Sequence, residues 1–280
     1  MTKVLVTGGS GMLGRRVVSR LAQAGYTVRV MSHQQRKEVE GAAEWAQANL
    51  ATGTGLRDAV AGVDTIVHSA TQPKLTGSKT DRDELGNADV YGTRLLLEAA
   101  REAGVSHCLY VSIVGLEDVP MPYFRQKLAT ETMVQNVGVP WTIARATQFH
   151  PFIATFLDLF TRSPLFLFPA NLPFQPVAAD DVADYLCRWV EAGPSGRVTD
   201  FGGPEVLRAD EMMKVWLREQ GKHRLIIPIR WPGKIAAAIR KGGTLPRNGE
   251  RGQISWAEWV REQAALRRAK QPLDLYPLRR

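Results

Sequence analysis

A glycine-rich turn near the start of the sequence constrains the fold of this chain more than any other feature. Thr7-Gly8-Gly9-Ser10-Gly11-Met12-Leu13-Gly14 follows the apolar run Val4-Leu5-Val6 and precedes a helical pattern over 13–24 that stops at Gly25. A short apolar run, a glycine turn and then a 3.6-residue period read as strand, tight turn and helix. The glycines let the backbone turn sharply and come close to whatever lies across the turn. The helix that opens there adds free N–H groups and the positive end of its dipole. Together these suit the pyrophosphate of a dinucleotide better than a purely structural turn. The expected contacts are Thr7, Gly8, Ser10, Gly11, Met12, Leu13 and Gly14.

The same rhythm continues through the first 146 residues. Runs at 4–7, 27–31, 44–48, 65–68, 108–112 and 141–144 read as strands, and stretches at 13–24, 85–103 and 123–137 as helices. Continuous apolar strands alternating with helices predict an α/β fold, a Rossmann-type doubly wound parallel sheet. After Arg145 the rhythm breaks. Residues 151–174 hold six phenylalanines and four prolines and read as an apolar loop-helix-loop excursion. A helix is expected over 177–191, one strand and turn over 197–204, and helices at 209–220, 233–241 and 256–269. This gives a dinucleotide-binding domain at 1–150, with 177–204 packing back onto it. Residues 151–176 and 205–280 form a smaller, mainly helical lobe on the substrate side.

Charge follows that division. The chain of 280 residues carries a formal +8, yet residues 221–280 hold 14 Lys/Arg against 4 Asp/Glu, while the rest is nearly neutral. No nucleic-acid-binding motif accompanies the excess, so a solvated basic face or a site for an acidic protein partner is expected over a nucleic-acid site. No stretch approaches the roughly 20 apolar residues of a membrane span, and no secretory leader is evident, so a cytoplasmic protein is expected. The two cysteines exclude a disulfide framework. Five scattered histidines without paired spacing offer no metal site. His68 reads as a satisfied core residue, and Cys108 and Cys187 as buried small hydrophobes.

Cofactor choice should be decided after the second strand. NAD(H) usually needs an acid there for its ribose hydroxyl. Here the stretch is Met31-Ser32-His33-Gln34-Gln35-Arg36-Lys37, with no acid until Glu38. Ser32, His33 and Arg36 are therefore expected to meet a 2′-phosphate, which favours NADP(H) over NAD(H). Thr147-Gln148-Phe149-His150 follows the sixth strand, at the carboxyl edge where open α/β sheets bind ligands. Thr147, Gln148 and Phe149 are expected beside the nicotinamide, with His150 and Phe152 as substrate-side candidates.

Tyr123-Phe124-Arg125-Gln126-Lys127 opens the helix after the fifth strand, and its i,i+4 spacing puts Tyr123 and Lys127 on one helical face. An ammonium beside a phenol favours phenolate and lowers the phenol's pKa. Such a phenol protonates a carbonyl oxygen as hydride arrives, with the Ser112 hydroxyl helping to hold that oxygen. The plainer alternative makes Tyr123 a packing residue after Pro122 and leaves Lys127 to bind ribose.

Two sets of residues carry a family resemblance. Thr7 with Gly8-x-x-Gly11-x-x-Gly14 resembles the loop of short-chain dehydrogenase/reductases. Gly115, the run Tyr123-x-x-x-Lys127-x-x-x-Glu131, Gly138-Val139-Pro140-Trp141-Thr142-Ile143-Ala144-Arg145-Ala146-Thr147-Gln148-Phe149, Val177-Ala178-Ala179-Asp180-Asp181-Val182-Ala183 and Phe201-Gly202-Gly203-Pro204-Glu205 resemble its NmrA-like, or atypical, branch. The likeness covers most of residues 3–205. It implies a Rossmann fold, adenine contacts from Asn49 and Leu50 where an Asp is usual at the first position, and cofactor contacts from Ser69, Ala70, Thr71 and Lys127. The branch holds reductases of quinones and related compounds, and also non-enzymatic NADP(H)-binding redox sensors. Retention of Ser112, Tyr123 and Lys127 favours an oxidoreductase acting on a small hydrophobic carbonyl, enone or quinone-type substrate. The alternatives are a sensor or regulator and, ranked lower, a nucleotide-sugar epimerase or dehydratase. Monomer and homodimer both remain open.

Overall fold

Short apolar strands separated by helices pair in parallel, because each crossover helix returns the chain to the same end of the sheet. The computed structural model describes residues 1–71, 90–161 and 163–274 and resolves into two compact units. The first comprises residues 1–112, 122–145 and 182–199. It opens with β1 (Lys3–Thr7), α1 (Met12–Gln23), β2 (Thr27–Ser32), β3 (Glu44–Gln47), α2 (Leu56–Val60) and β4 (Thr65–His68). It continues with α3 (Gly92–Glu102), β5 (His107–Ile113), α4 (Pro122–Asn136) and β6 (Trp141–Ala146). The strand order is β6-β5-β4-β1-β2-β3, all parallel. Val6 faces Val30 on one side and Val67 on the other.

Chain order runs outward from β1 to β3 and then from β4 to β6 in the opposite direction, so β1 and β4 meet at the switch point. In doubly wound sheets the carboxyl ends of such strands frame the ligand crevice. Here those ends are Thr7 and His68, paired in register. The core beneath holds Leu5, Ile66, Leu96, Leu97, Cys108 and Ile143, each fully buried. The sequence over 85–103 predicts an apolar stripe of Leu85, Ala88, Leu95, Leu96, Ala99 and Ala100; in α3 Leu96, Ala99 and Ala100 are buried together with Leu97, Leu95 is partly buried against the core, and Leu85 and Ala88 lie outside the described residues. From α6 (Ala179–Ala192) this unit takes residues 182–192, and β9 (Gly196–Arg197) then pairs with β6. Cys187, expected in the core, is only partly buried.

The second unit comprises residues 113–121, 146–181 and 200 onward. It holds α5 (His150–Phe160), β7 (Leu165–Pro169), β8 (Pro173–Phe174), β10 (Asp200–Gly202) and β11 (Leu207–Arg208). It ends with α7 (Ala209–Glu219), β12 (Leu225–Ile229), α8 (Lys234–Arg240), β13 (Gly249–Arg251) and α9 (Trp256–Arg268). Three corrections arise here. The apolar excursion at 151–174 contains two strands after its helix, and residues 197–204 form two short strands instead of one. The expected helical run after Arg208 is interrupted by β12, which pairs in parallel with β7. Apolar residues at every position hide the two-residue period of Leu165-Phe166-Leu167-Phe168, and Pro228 argues against a strand at β12.

The core of this unit is aromatic. Trp216 and Trp256 are fully buried with Met212, Phe166 and Phe168. Trp256 stacks on Trp259 at 5.6 Å, and its indole N–H donates to the Met212 carbonyl at 3.1 Å. A reciprocal cap starts α9: the Ser255 hydroxyl accepts from the Glu258 N–H, and the Glu258 carboxylate accepts from the Ser255 N–H.

Candidate functional site

The glycine turn is built as its composition requires. Gly8 lies at φ +67°, a left-handed conformation that side-chain-bearing residues rarely adopt. Its N–H donates to the Met31 carbonyl at 3.0 Å, and its own carbonyl accepts from Gly11 at 2.8 Å. A Cβ on Gly14 would fall 2.2 Å from the Gly8 carbonyl oxygen and 2.7 Å from Gly9 Cα, so the first turn of α1 must approach the loop with no side chain between them. Gly11 is the exposed N-cap of α1, and the first turn carries no acid. The N–H groups of that turn have no intrahelical acceptor and present a positive dipole end. This cradle fits the pyrophosphate of a dinucleotide. Ser10 and Met12 are partly buried, and Leu13 packs in the core.

Thr7 turns inward instead of towards the crevice. Its hydroxyl accepts from the Ala70 N–H at 3.2 Å and meets His68 Nδ1 at 2.7 Å. His68 Nε2 meets the Thr93 hydroxyl at 2.8 Å, so both ring nitrogens are satisfied, as expected for a core histidine. Ser69 donates to the Thr7 carbonyl at 2.8 Å. These bonds tie the ends of β1 and β4 together. Ser32 ends β2 buried and accepts from the Gln34 N–H, while His33 and Arg36 are exposed. The Asn49 carboxamide accepts from the Ala51 N–H at 2.9 Å, and partly buried Leu50 packs against the core.

The proposed acid–base residues all belong to the first unit. Lys127 is only 5% exposed, and its ammonium donates to the Tyr110 hydroxyl at 3.0 Å and to the Val111 carbonyl at 3.3 Å. It also lies 4.7 Å from the Tyr110 ring centroid. The Tyr123 hydroxyl is hydrogen-bonded to Thr71 Oγ1 at 2.9 Å. Ser112 is buried, and its hydroxyl has no partner among the described residues. Tyr110 escaped the sequence reading. The available signal was the two-residue period of β5, which puts Tyr110 and Ser112 on the same face.

The second unit holds the remaining candidates. Thr147 donates from its hydroxyl to the Gln175 carbonyl, Gln148 accepts from the Val177 N–H at 3.0 Å, and Phe149 caps α5. His150, expected on the substrate side, begins α5 and is fully buried. Its Nε2 donates to the Pro176 carbonyl at 3.1 Å, and its ring lies 5.6 Å from both Trp256 and Trp259. Phe152 packs against the aromatic core. Among the described residues no group of three or more His, Cys, Asp or Glu is placed to hold a metal, and no helix is long and apolar enough to cross a membrane.

Burial holds these histidines neutral. Desolvation lowers His68 to about 3, with the nearby Lys127 charge adding to the effect, and lowers His107 and His150 to about 4. Each takes up a proton near its ordinary value of 6.5 only once unfolded. Their stabilising contribution is complete above pH 6.5 and declines as the pH falls towards 4. The melting temperature is expected to fall across that window by calorimetry, and a flat profile between those limits contradicts the assignment.

The model of the family described as NAD dependent epimerase/dehydratase matches residues 4–149. A (4-alkanoyl-5-oxo-2,5-dihydrofuran-3-yl)methyl phosphate reductase from Streptomyces griseus is 26% identical over 270 residues, covering 90% of this chain and 89% of that protein. The photosystem II assembly factor Ycf39 from Trieres chinensis is 29% identical over 151 residues, and the match covers 52% of this chain and 46% of that relative. This chain thus spans about half the length of that relative. A short-chain dehydrogenase/reductase superfamily protein from Agrobacterium tumefaciens, solved with bound NAD, superposes with a TM-score of 0.74 at 22% identity, covering 96% of this chain and 98% of that one. That likeness establishes the Rossmann-type fold.

Proposed function

The chain belongs to the NAD dependent epimerase/dehydratase family, and from that premise we propose an NADP(H)-dependent oxidoreductase that reduces a small hydrophobic carbonyl, enone or quinone-type compound. The observation that carries this reading is the buried Lys127 ammonium, one helical turn from Tyr123 and held beside the strand that ends near Ser112. A nicotinamide, when bound, supplies the hydride. Lys127 binds the ribose and favours the phenolate form of Tyr123, which lowers the cost of releasing its proton. The Tyr123 hydroxyl delivers that proton to the substrate oxygen, and the unpartnered Ser112 hydroxyl donates a hydrogen bond to the same atom. In this reading residues 1–150 hold the cofactor, and 151–176 with 205–280 select the substrate. His150 takes no proton-transfer role, because its neutral ring is enclosed by Trp256 and Trp259. The reductase activity of the Streptomyces griseus relative, matched over most of both chains, supports reduction over epimerisation.

Cofactor preference rests on Ser32, His33 and Arg36 following β2, with Glu38 the first acid of that stretch. The exposed Arg36 guanidinium suits the 2′-phosphate as a charge-assisted donor. NADPH is expected to bind about tenfold more tightly than NADH, a difference of about 1.4 kcal/mol, in a fluorescence titration. Equal dissociation constants overturn the preference. The activity itself is tested by NADPH consumption against quinones, aldehydes and enones. Tight cofactor binding with no turnover across that panel replaces the reductase by a redox sensor.

A further inference from the structure

The second unit leaves an apolar sheet face uncovered. Leu165 pairs with Leu225 and Leu167 with Ile227 across the parallel strands β7 and β12. Strand alternation turns Phe166 and Phe168 into the core and sends the other four side chains outward. Leu165, Leu167, Leu225 and Ile227 are 48%, 53%, 65% and 41% exposed. Single exposed leucines are ordinary, but four in adjacent register make a continuous patch that calls for an occupant.

The chain that follows β12 identifies the chemistry of that occupant. Arg230 and Lys234 are exposed and enter no ion pair among the described residues. Between them Trp231 is 44% exposed, while its backbone carbonyl is pinned by the Arg240 guanidinium at 2.8 Å. We infer that this face docks on an anionic lipid bilayer, with the aliphatic residues entering the acyl boundary and Arg230 and Lys234 meeting the headgroups. Cations beside an apolar face repel a second copy of the same surface but attract acidic lipid. Pro228 removes an N–H from β12 and so disfavours docking of an added peptide strand. An exposed tryptophan at the rim suits the boundary between headgroups and hydrocarbon. The 14 Lys/Arg against 4 Asp/Glu of residues 221–280 supply a favourable field. None of these residues is among those assigned to the cofactor or to proton transfer.

Co-sedimentation of the full chain with phosphatidylcholine vesicles, with and without about one-third phosphatidylserine, tests the inference. Binding is expected only to the anionic vesicles and should weaken as salt is raised. Replacing Arg230 and Lys234 together by Gln should weaken binding about 25-fold, roughly fivefold per cation. Leu225→Ser with Ile227→Ser should weaken it at least about tenfold while leaving the melting temperature and NADPH binding unchanged. No binding to either vesicle overturns the inference, as does binding that ignores the apolar double variant. Sedimentation equilibrium supplies a further outcome. A dimer that dissociates in the Leu225→Ser, Ile227→Ser variant assigns the face to a second copy and likewise overturns it.

Discussion

Lys127→Met is expected to lower kcat/KM for NADPH-dependent reduction by a factor of about 10²–10⁴, the range over which a positioned acid–base group contributes. The ammonium lies buried against the Tyr110 hydroxyl and the Val111 carbonyl, so its charge acts in a medium of low dielectric. Methionine keeps an unbranched apolar chain, one atom shorter, and removes the ammonium that donates both hydrogen bonds. Cofactor affinity should fall with turnover, because Lys127 is assigned to the ribose as well as to Tyr123. Tyr123→Phe separates the two roles: kcat should fall by a similar factor while the dissociation constant of NADPH stays the same. Steady-state kinetics with a parallel binding titration make the comparison, and circular dichroism confirms that both variants fold. Wild-type turnover in both variants refutes the assignment.

Glu131→Ala is expected to destabilise the first unit by about 3–5 kcal/mol, the usual consequence of stranding one buried charge. Arg145 Nε donates to one Glu131 oxygen at 2.7 Å and its terminal nitrogen to the other at 2.5 Å, with the side chains 2% and 4% exposed. Glu131 follows Lys127 by one turn on α4, and Arg145 lies on β6, so the pair fixes the helix that bears Tyr123 and Lys127 against the sheet. Removing the carboxylate leaves the guanidinium without its bidentate acceptor. The double variant Glu131→Ala, Arg145→Met should recover part of the loss, since neither charge is then buried. Urea denaturation measures both. A single-variant cost below about 1 kcal/mol, as for an exposed pair, contradicts this account.

Legibility in the sequence tracked the range of the interaction responsible. The parallel sheet was readable because each strand and its crossover helix are sequence neighbours with their own period and terminating glycine, as at Gly25, Gly104 and Gly138. β7 and β12 were not, because Leu165 finds Leu225 only through a contact sixty residues away. Their strand character comes from that pairing, and Pro228 pointed the other way. The fate of individual polar groups was equally non-local. Nothing in the sequence around Thr7 says that its hydroxyl serves His68, or that Lys127 reaches Tyr110. The burial of His150 was not legible, because its covering tryptophans lie on α9, more than a hundred residues later.

A tight strand-to-helix turn at Gly8, Gly11 and Gly14 was legible from their spacing alone, and φ +67° at Gly8 with the 2.2 Å approach at Gly14 shows why side chains are excluded there. The sharing of one helical face by Tyr123 and Lys127 was equally legible, since helical pitch alone sets that relation. Which polar atoms remain available for chemistry depends instead on contacts made by the fold. Burial removes water as a partner, so each hydroxyl, imidazole and ammonium must bond to whatever the fold brings within reach. By that rule Thr7 and His68 are consumed internally, whereas Ser112 keeps a hydroxyl without a partner among the described residues. The basic excess of the last sixty residues was likewise visible as a number, but the apolar face that precedes Arg230 and Lys234 in the chain exists only through the pairing of β7 with β12.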